Sequence, residues 1–150
     1  MAFIPRDAVW YVAQVVLEIT VEGDAQNVVH INYLLVRAGS PEEAHEKALR
    51  LGAQHESVYL NRNEKEVRIV FRGLRNLTVV CDNLEHGAEL LYEERTGLSA
   101  EALANLVRPR ESLGVFKPIE TSPGPDYGSE EIEREAWSLV ESGAVPPREK

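Results

Sequence analysis

Trp10-Tyr11-Val12-Ala13-Gln14-Val15-Val16-Leu17-Glu18-Ile19-Thr20-Val21-Glu22 is the stretch that decides the fold. Tyr11, Ala13, Val15, Leu17, Ile19 and Val21 recur with a period of two, and Gln14, Glu18, Thr20 and Glu22 take alternate positions. Side chains of an extended chain alternate between faces, so this is a strand with one dry side and one wet side. Strands of that kind belong to antiparallel sheets, because parallel sheets are buried on both faces. Gly23-Asp24 breaks the run, and a second strand is predicted from about Val28 to Arg37. There Val29, Ile31, Tyr33 and Leu35 alternate with His30, Asn32, Leu34 and Val36. The short polar connection predicts a hairpin with a loop longer than the tightest type.

Further along, Ser40-Pro41-Glu42-Glu43 has the pattern of a helix start. Serine caps, proline occupies the first helical position, and the glutamate three residues on completes a capping box. Ala44, Ala48, Leu49 and Leu51 are expected to face the core, with Gly52 as the helix end or a weak point. Val67, Ile69 and Phe71 predict a third strand, and Leu77 to Cys81 a fourth after the break at Gly73. Ala88 to Glu94 predicts a fifth, with Leu90 and Tyr92 inward. Ser99 opens a second helix, with Leu98 stapled to Leu103, and Pro109 stops it. The expected fold over residues 1–116 is therefore α+β: an antiparallel sheet of four to five strands with two helices on one face.

Residues 117–128 hold Pro118, Pro123, Gly124, Pro125 and Gly128 and are expected to form a linker. Residues 129–143 are expected to form a C-terminal amphipathic helix, its stripe being Ile132, Ala136, Leu139 and Val140, with Trp137 beside it. Residues 144–150 are a tail. Such a helix, with Trp137 as its contact, docks on its own domain, on a second copy or on a partner.

Composition bounds the function. The chain has 150 residues, 43% hydrophobic and 27% charged, which suits one core rather than two. Its net charge of -9 opposes nucleic-acid binding and adhesion to anionic membranes, and favours encounter with a basic protein. A single cysteine, Cys81, excludes an internal disulfide and fits a reducing compartment. With no signal-peptide pattern at Met1 and no long apolar run, a cytoplasmic protein is expected.

Chemistry-bearing motifs are few. His30, His45, His55 and His86 show no local metal-ligand spacing, and grouping His45 and His55 with Glu56 requires the fold to assemble them. Neither phosphate-binding glycine motif is present, so no cofactor is expected. Cys81-Asp82-Asn83-Leu84-Glu85-His86 sets a thiol and an imidazole near one turn, which makes Cys81 and His86 the candidate catalytic pair. A strand-end cysteine followed by a polar turn accounts for the same residues. Arg68, Arg72 and Arg75 form a basic cluster that either holds an anion or pairs with Glu18 and Glu22 across strands.

Trp10-Tyr11-Val12-Ala13, Ser40-Pro41-Glu42-Glu43-Ala44, Phe71-Arg72-Gly73-Leu74, Gly87-Ala88-Glu89-Leu90 and Leu113-Gly114-Val115-Phe116 together give the chain a likeness over about residues 9 to 116. In their order it resembles the bacterial family called domain of unknown function 4288. The resemblance implies a compact module and implies no activity, cofactor or catalytic residue. The expectation for function is a non-catalytic interaction module, with a basic partner such as a toxin, or a homodimer. The alternative is a small hydrolase or ligand-binding enzyme using Cys81 and His86.

Overall fold

The computed structural model describes residues 7–117 and 124–129. Its chain order is β1 (Trp10–Val21), β2 (Val28–Arg37), α1 (Pro41–Gln54), β3 (Ser57–Leu60), β4 (Glu66–Val79) and α2 (Ala100–Leu106), followed by a short 3-10 turn at Arg110–Ser112. The strands form one antiparallel sheet in the order β2-β1-β4-β3. The class is α+β.

The dry face of β1 is the centre of the core. Tyr11, Ala13, Val15 and Leu17 pack with Val36, Ala38, Ala44 and Ala48 in one cluster, while Ile19, Val21 and Val67 form a second. α1 covers the first cluster. Ser40 Oγ accepts from Glu43 N at 3.2 Å, and Glu43 Oε2 accepts from Gly39 N at 2.8 Å, so the capping box closes one residue further out than expected. Two small buried alanines, Ala44 and Ala48, let the helix lie close to the strands. Gly52 extends that contact rather than ending the helix. A Cβ there would sit 2.4 Å from Phe71 Cε2, so the hydrogen at this position is what admits the ring. Leu49, expected inward, is exposed, whereas Leu51 packs against the core.

Two expected strands are one. β4 runs 14 residues, and its core face carries Val67, Ile69, Phe71, Leu74, Leu77 and Val79. The spacing lengthens to three residues at Phe71–Leu74 and again at Leu74–Leu77 because the ladder with β1 shifts register twice. Val15 pairs with Leu74 but Gln14 with Asn76, leaving Arg75 as an extra residue. Val16 pairs with Gly73 but Leu17 with Phe71, leaving Arg72 extra. These are β-bulges, and Gly73 supplies the positive φ of 131° between them.

Three expectations need correction. Ala88 to Glu94 adds no fifth strand: Leu90 and Tyr92 are exposed, and Glu89 N bonds to Asp82 Oδ2 at 2.9 Å instead of joining a ladder. The fourth strand is instead β3, four residues at the far edge. α2 is capped by Ser99 as expected, yet none of its residues is buried, so α1 alone covers the sheet among the described elements. The C-terminal helix and Trp137 lie outside the described residues.

Part of the expected linker is held in place. Tyr59 donates its hydroxyl to the Tyr127 carbonyl, Asn61 Nδ2 donates to the Asp126 carbonyl at 2.9 Å, and the Tyr127 ring meets His30 edge-on at 5.3 Å. Asn61 is 7% exposed, and its Oδ1 also accepts from the backbone of Asn63 and Lys65, closing the β3–β4 turn. Tyr59 packs on the second core cluster, so the 124–129 segment is anchored at the end of the sheet that α1 does not reach.

Candidate functional site

The face of the sheet opposite α1 combines features a site needs. On β2 it presents Val29, Ile31, Tyr33 and Leu35, each between 37% and 52% exposed. Register decides this. Tyr11, Ala13, Val15, Leu17 and Ile19 stand opposite Val36, Leu34, Asn32, His30 and Val28, which draws the less apolar set of β2 inward. The more apolar set is left outside, on an edge strand with no neighbour beyond it among the described residues.

Both bulges open onto the same face. An extra residue in a ladder re-aims its side chain, and here two arginines are re-aimed. Arg72 gives Nε and a terminal nitrogen to Glu18 Oε1 at 3.0 and 2.6 Å. Glu18 also accepts from Asn27 Nδ2 at 2.6 Å, and these donors, Asn27 first and Arg72 second, hold its carboxyl below the usual carboxylate range. Arg68 pairs with Glu66 on its own strand at 2.8 Å, while Glu22 accepts from Glu66 N instead. Arg75 differs from both. It donates Nε to Gln14 Oε1 at 2.8 Å and a terminal nitrogen to the Tyr33 hydroxyl at 3.4 Å, and both acceptors are neutral. Gln14 and Tyr33 are cross-strand partners, so one register step builds the whole seat. Of the basic cluster, two members are spent on carboxylates and one keeps its charge available.

The residues singled out for catalysis lie elsewhere. Cys81 and His86 line one open depression with Asp7, Asp82 and Glu85, and Cys81 is exposed. An activated thiol is normally found beside cations or a helix N-terminus. This depression offers one imidazole among three carboxylates. Among the described residues no three of His, Cys, Asp and Glu are grouped to hold a metal. His45 is exposed on α1, and His55 closes the helix end through Nδ1 and the Leu51 carbonyl at 2.8 Å. No helix among the described residues is long and apolar enough to cross a membrane.

Sequence patterns alone did not mark Gln14 and Tyr33. Gln14 sits on the wet side of β1, yet it is 6% exposed. The signal that could have found it is the interruption of β4's alternation at Gly73, read from the sequence as a break between strands although a glycine inside a strand often marks a bulge.

Against this geometry, the family model described as Domain of unknown function (DUF4288) matches residues 10–92, more than half of the chain. The chain belongs to the DUF4288 family. All four strands, α1 and the arginine bulges of this DUF4288 member fall within the match, whereas α2 and the 124–129 segment fall beyond it. The match stops short of residue 116, where the likeness read from the sequence ended. No curated protein and no solved structure matches the chain.

Proposed function

We propose that this DUF4288 protein is a non-catalytic interaction module that binds a basic protein through the open face of its sheet. The observation that carries this reading is the stripe of Val29, Ile31, Tyr33 and Leu35, four exposed apolar side chains on an edge strand whose outer side has no neighbour among the described residues. Edge strands are usually blunted by charge, proline or a bulge. β2 is ten residues long, has no proline, has no bulge against β1, and carries one full charge, Arg37, at its very end. An exposed edge of this kind accepts an added strand, with backbone hydrogen bonds supplying affinity and alternate side chains supplying specificity. The partner's charge follows from the net -9 of the chain, which steers a basic protein toward it and repels acidic ones.

The test compares tagged wild-type protein with the double variant Ile31→Asp, Leu35→Asp in lysate at low and high salt. A basic protein held at low salt, released at high salt and lost in the variant is the expected result. Capture that ignores the two substitutions sinks the reading. So does gel filtration showing that purified wild type is a dimer and the variant a monomer, because a second copy would then occupy the stripe.

A further inference from the structure

We propose that Arg75 is the anchor of a binding site for a single carboxylate, built where β4's second bulge faces the 91–95 segment. This site adjoins the stripe through Tyr33, whose hydroxyl helps seat Arg75, but its cavity is lined by other residues, and it stands whether or not a protein partner binds the stripe. A cavity of about 470 Å³ opens beside Arg75, lined by Gln14, Asn76, Thr78, Tyr92 and Arg95. Leu91 and Glu93 complete the wall, and Glu93 pairs with Arg95 at 3.3 Å.

Three features point to an anion. First, a guanidinium carries five N–H donors in a fixed plane, and here one Nε–H and one terminal nitrogen are committed to neutral acceptors. Gln14 and Tyr33 hold the plane in place without cancelling its charge, and no hydrogen bond among the described residues takes the second terminal nitrogen. Second, Gln14 is nearly buried, so the seat is fixed by the sheet rather than by flexible loops. Third, the rest of the wall supplies the Asn76 amide, two hydroxyls from Thr78 and Tyr92, and a second guanidinium from Arg95.

Charge decides which anion. Arg75 and Arg95 contribute two positive charges and Glu93 one negative, a local balance of one positive charge. That matches a single carboxylate, which the remaining guanidinium nitrogen can meet with one charge-assisted hydrogen bond. A dianionic phosphate would be left half-neutralised in a protein of net charge -9. The ligand class is therefore a small molecule or chain terminus presenting one carboxylate, with polar groups able to meet an amide and hydroxyls.

The experiment titrates the ¹⁵N-labelled full chain with N-acetylalanine, with its neutral amide twin, and with inorganic phosphate at matched ionic strength. Saturable shifts of the Arg75 Nε–H and Gln14 side-chain amide signals by N-acetylalanine are expected, with none from the amide. Arg75→Gln should weaken that binding about tenfold, the loss of one charge-assisted hydrogen bond. Arg75→Lys, which keeps the charge but not the fork, should fall between. If Arg75→Gln fails to fold, Arg95→Gln takes its place, since Arg95 lies outside every strand. Equal binding of acid and amide, tighter binding of phosphate, no saturable shift, or unchanged affinity in the folded variant would each overturn the site.

Discussion

The two faces of this sheet are built from the same strands and obey different rules. On the α1 side, Tyr11, Ala13, Val15 and Leu17 meet Ala44 and Ala48 with little room to spare, and the helix approaches until Gly52 touches Phe71. On the other side, β2 leaves four apolar residues in water and the bulges of β4 turn two arginines outward. The closed face holds its shape through packing, so it tolerates little change in volume. On the open face Val12 and Gln14 of β1 are buried, but the β2 stripe and the bulge arginines are held only by register and a few hydrogen bonds. Stability belongs to one side, and the recognition we propose belongs to the other.

The sharpest way to break that contrast is to place one substitution on both faces. Val15→Asp buries a carboxylate at a position with no exposure inside an apolar cluster, and should cost more than about 4 kcal/mol, enough to unfold a domain of ordinary stability. Ile31→Asp lies one strand away on the open side and should cost about 1 kcal/mol or less. Urea denaturation followed by far-UV circular dichroism gives both numbers. Comparable losses at the two sites would mean the open face is part of the core.

A second substitution sharpens the comparison within the closed face. Alanine normally stabilises a helix interior over glycine by about 1 kcal/mol. At Gly52 the added Cβ must displace the Phe71 ring or the helix, and overpacking of this kind typically costs about 1–3 kcal/mol. Gly52→Ala should therefore lower the denaturation midpoint. Combining it with Phe71→Leu should recover part of the loss, a coupling that a double-mutant cycle measures directly. A rise in midpoint for Gly52→Ala alone would show that the helix does not rest on that ring.

These two positions also show how far the sequence could be read. The period of β1 and the capping signals at Ser40 are local, and local signals survive folding: strand, hairpin and helix are where they were expected. Orientation of β2 was not local. Its more apolar set ended outside because pairing with β1 aligned Val36 and Leu34 with Tyr11 and Ala13. β4 was legible only in halves, since each bulge shifts the alternation by one residue and a period-two reading stops there. β3 has four residues, too few for periodicity, and forms because the Asn61 turn folds it onto β4. Of the candidate site, Arg75 was visible as one of three arginines. That it alone of the three lacks a carboxylate partner among the described residues depended on where Glu18 and Glu66 reach.

The smallest expected effect separates the faces by pH. Glu18, on the open face, has its pKa lowered by Asn27 and then Arg72. A carboxyl held lower in the folded state binds its proton more readily when unfolded, so its contribution is complete at neutral pH and fades as pH falls through the acid range. Tyr59, which anchors the 124–129 segment at the closed face, has its pKa raised, first by burial and then by Tyr127 and Asp126. A phenol held neutral in the fold ionises more readily when unfolded. Its contribution is therefore complete below the ordinary tyrosine range and is lost as pH rises above it. Denaturation midpoints across the pH range should show Glu18→Gln flattening only the acid limb and Tyr59→Phe only the alkaline limb. Because the groups sit on opposite sides of one sheet, a variant that altered both limbs would show that the two faces are coupled through the strands, and the division between packing and recognition would fail.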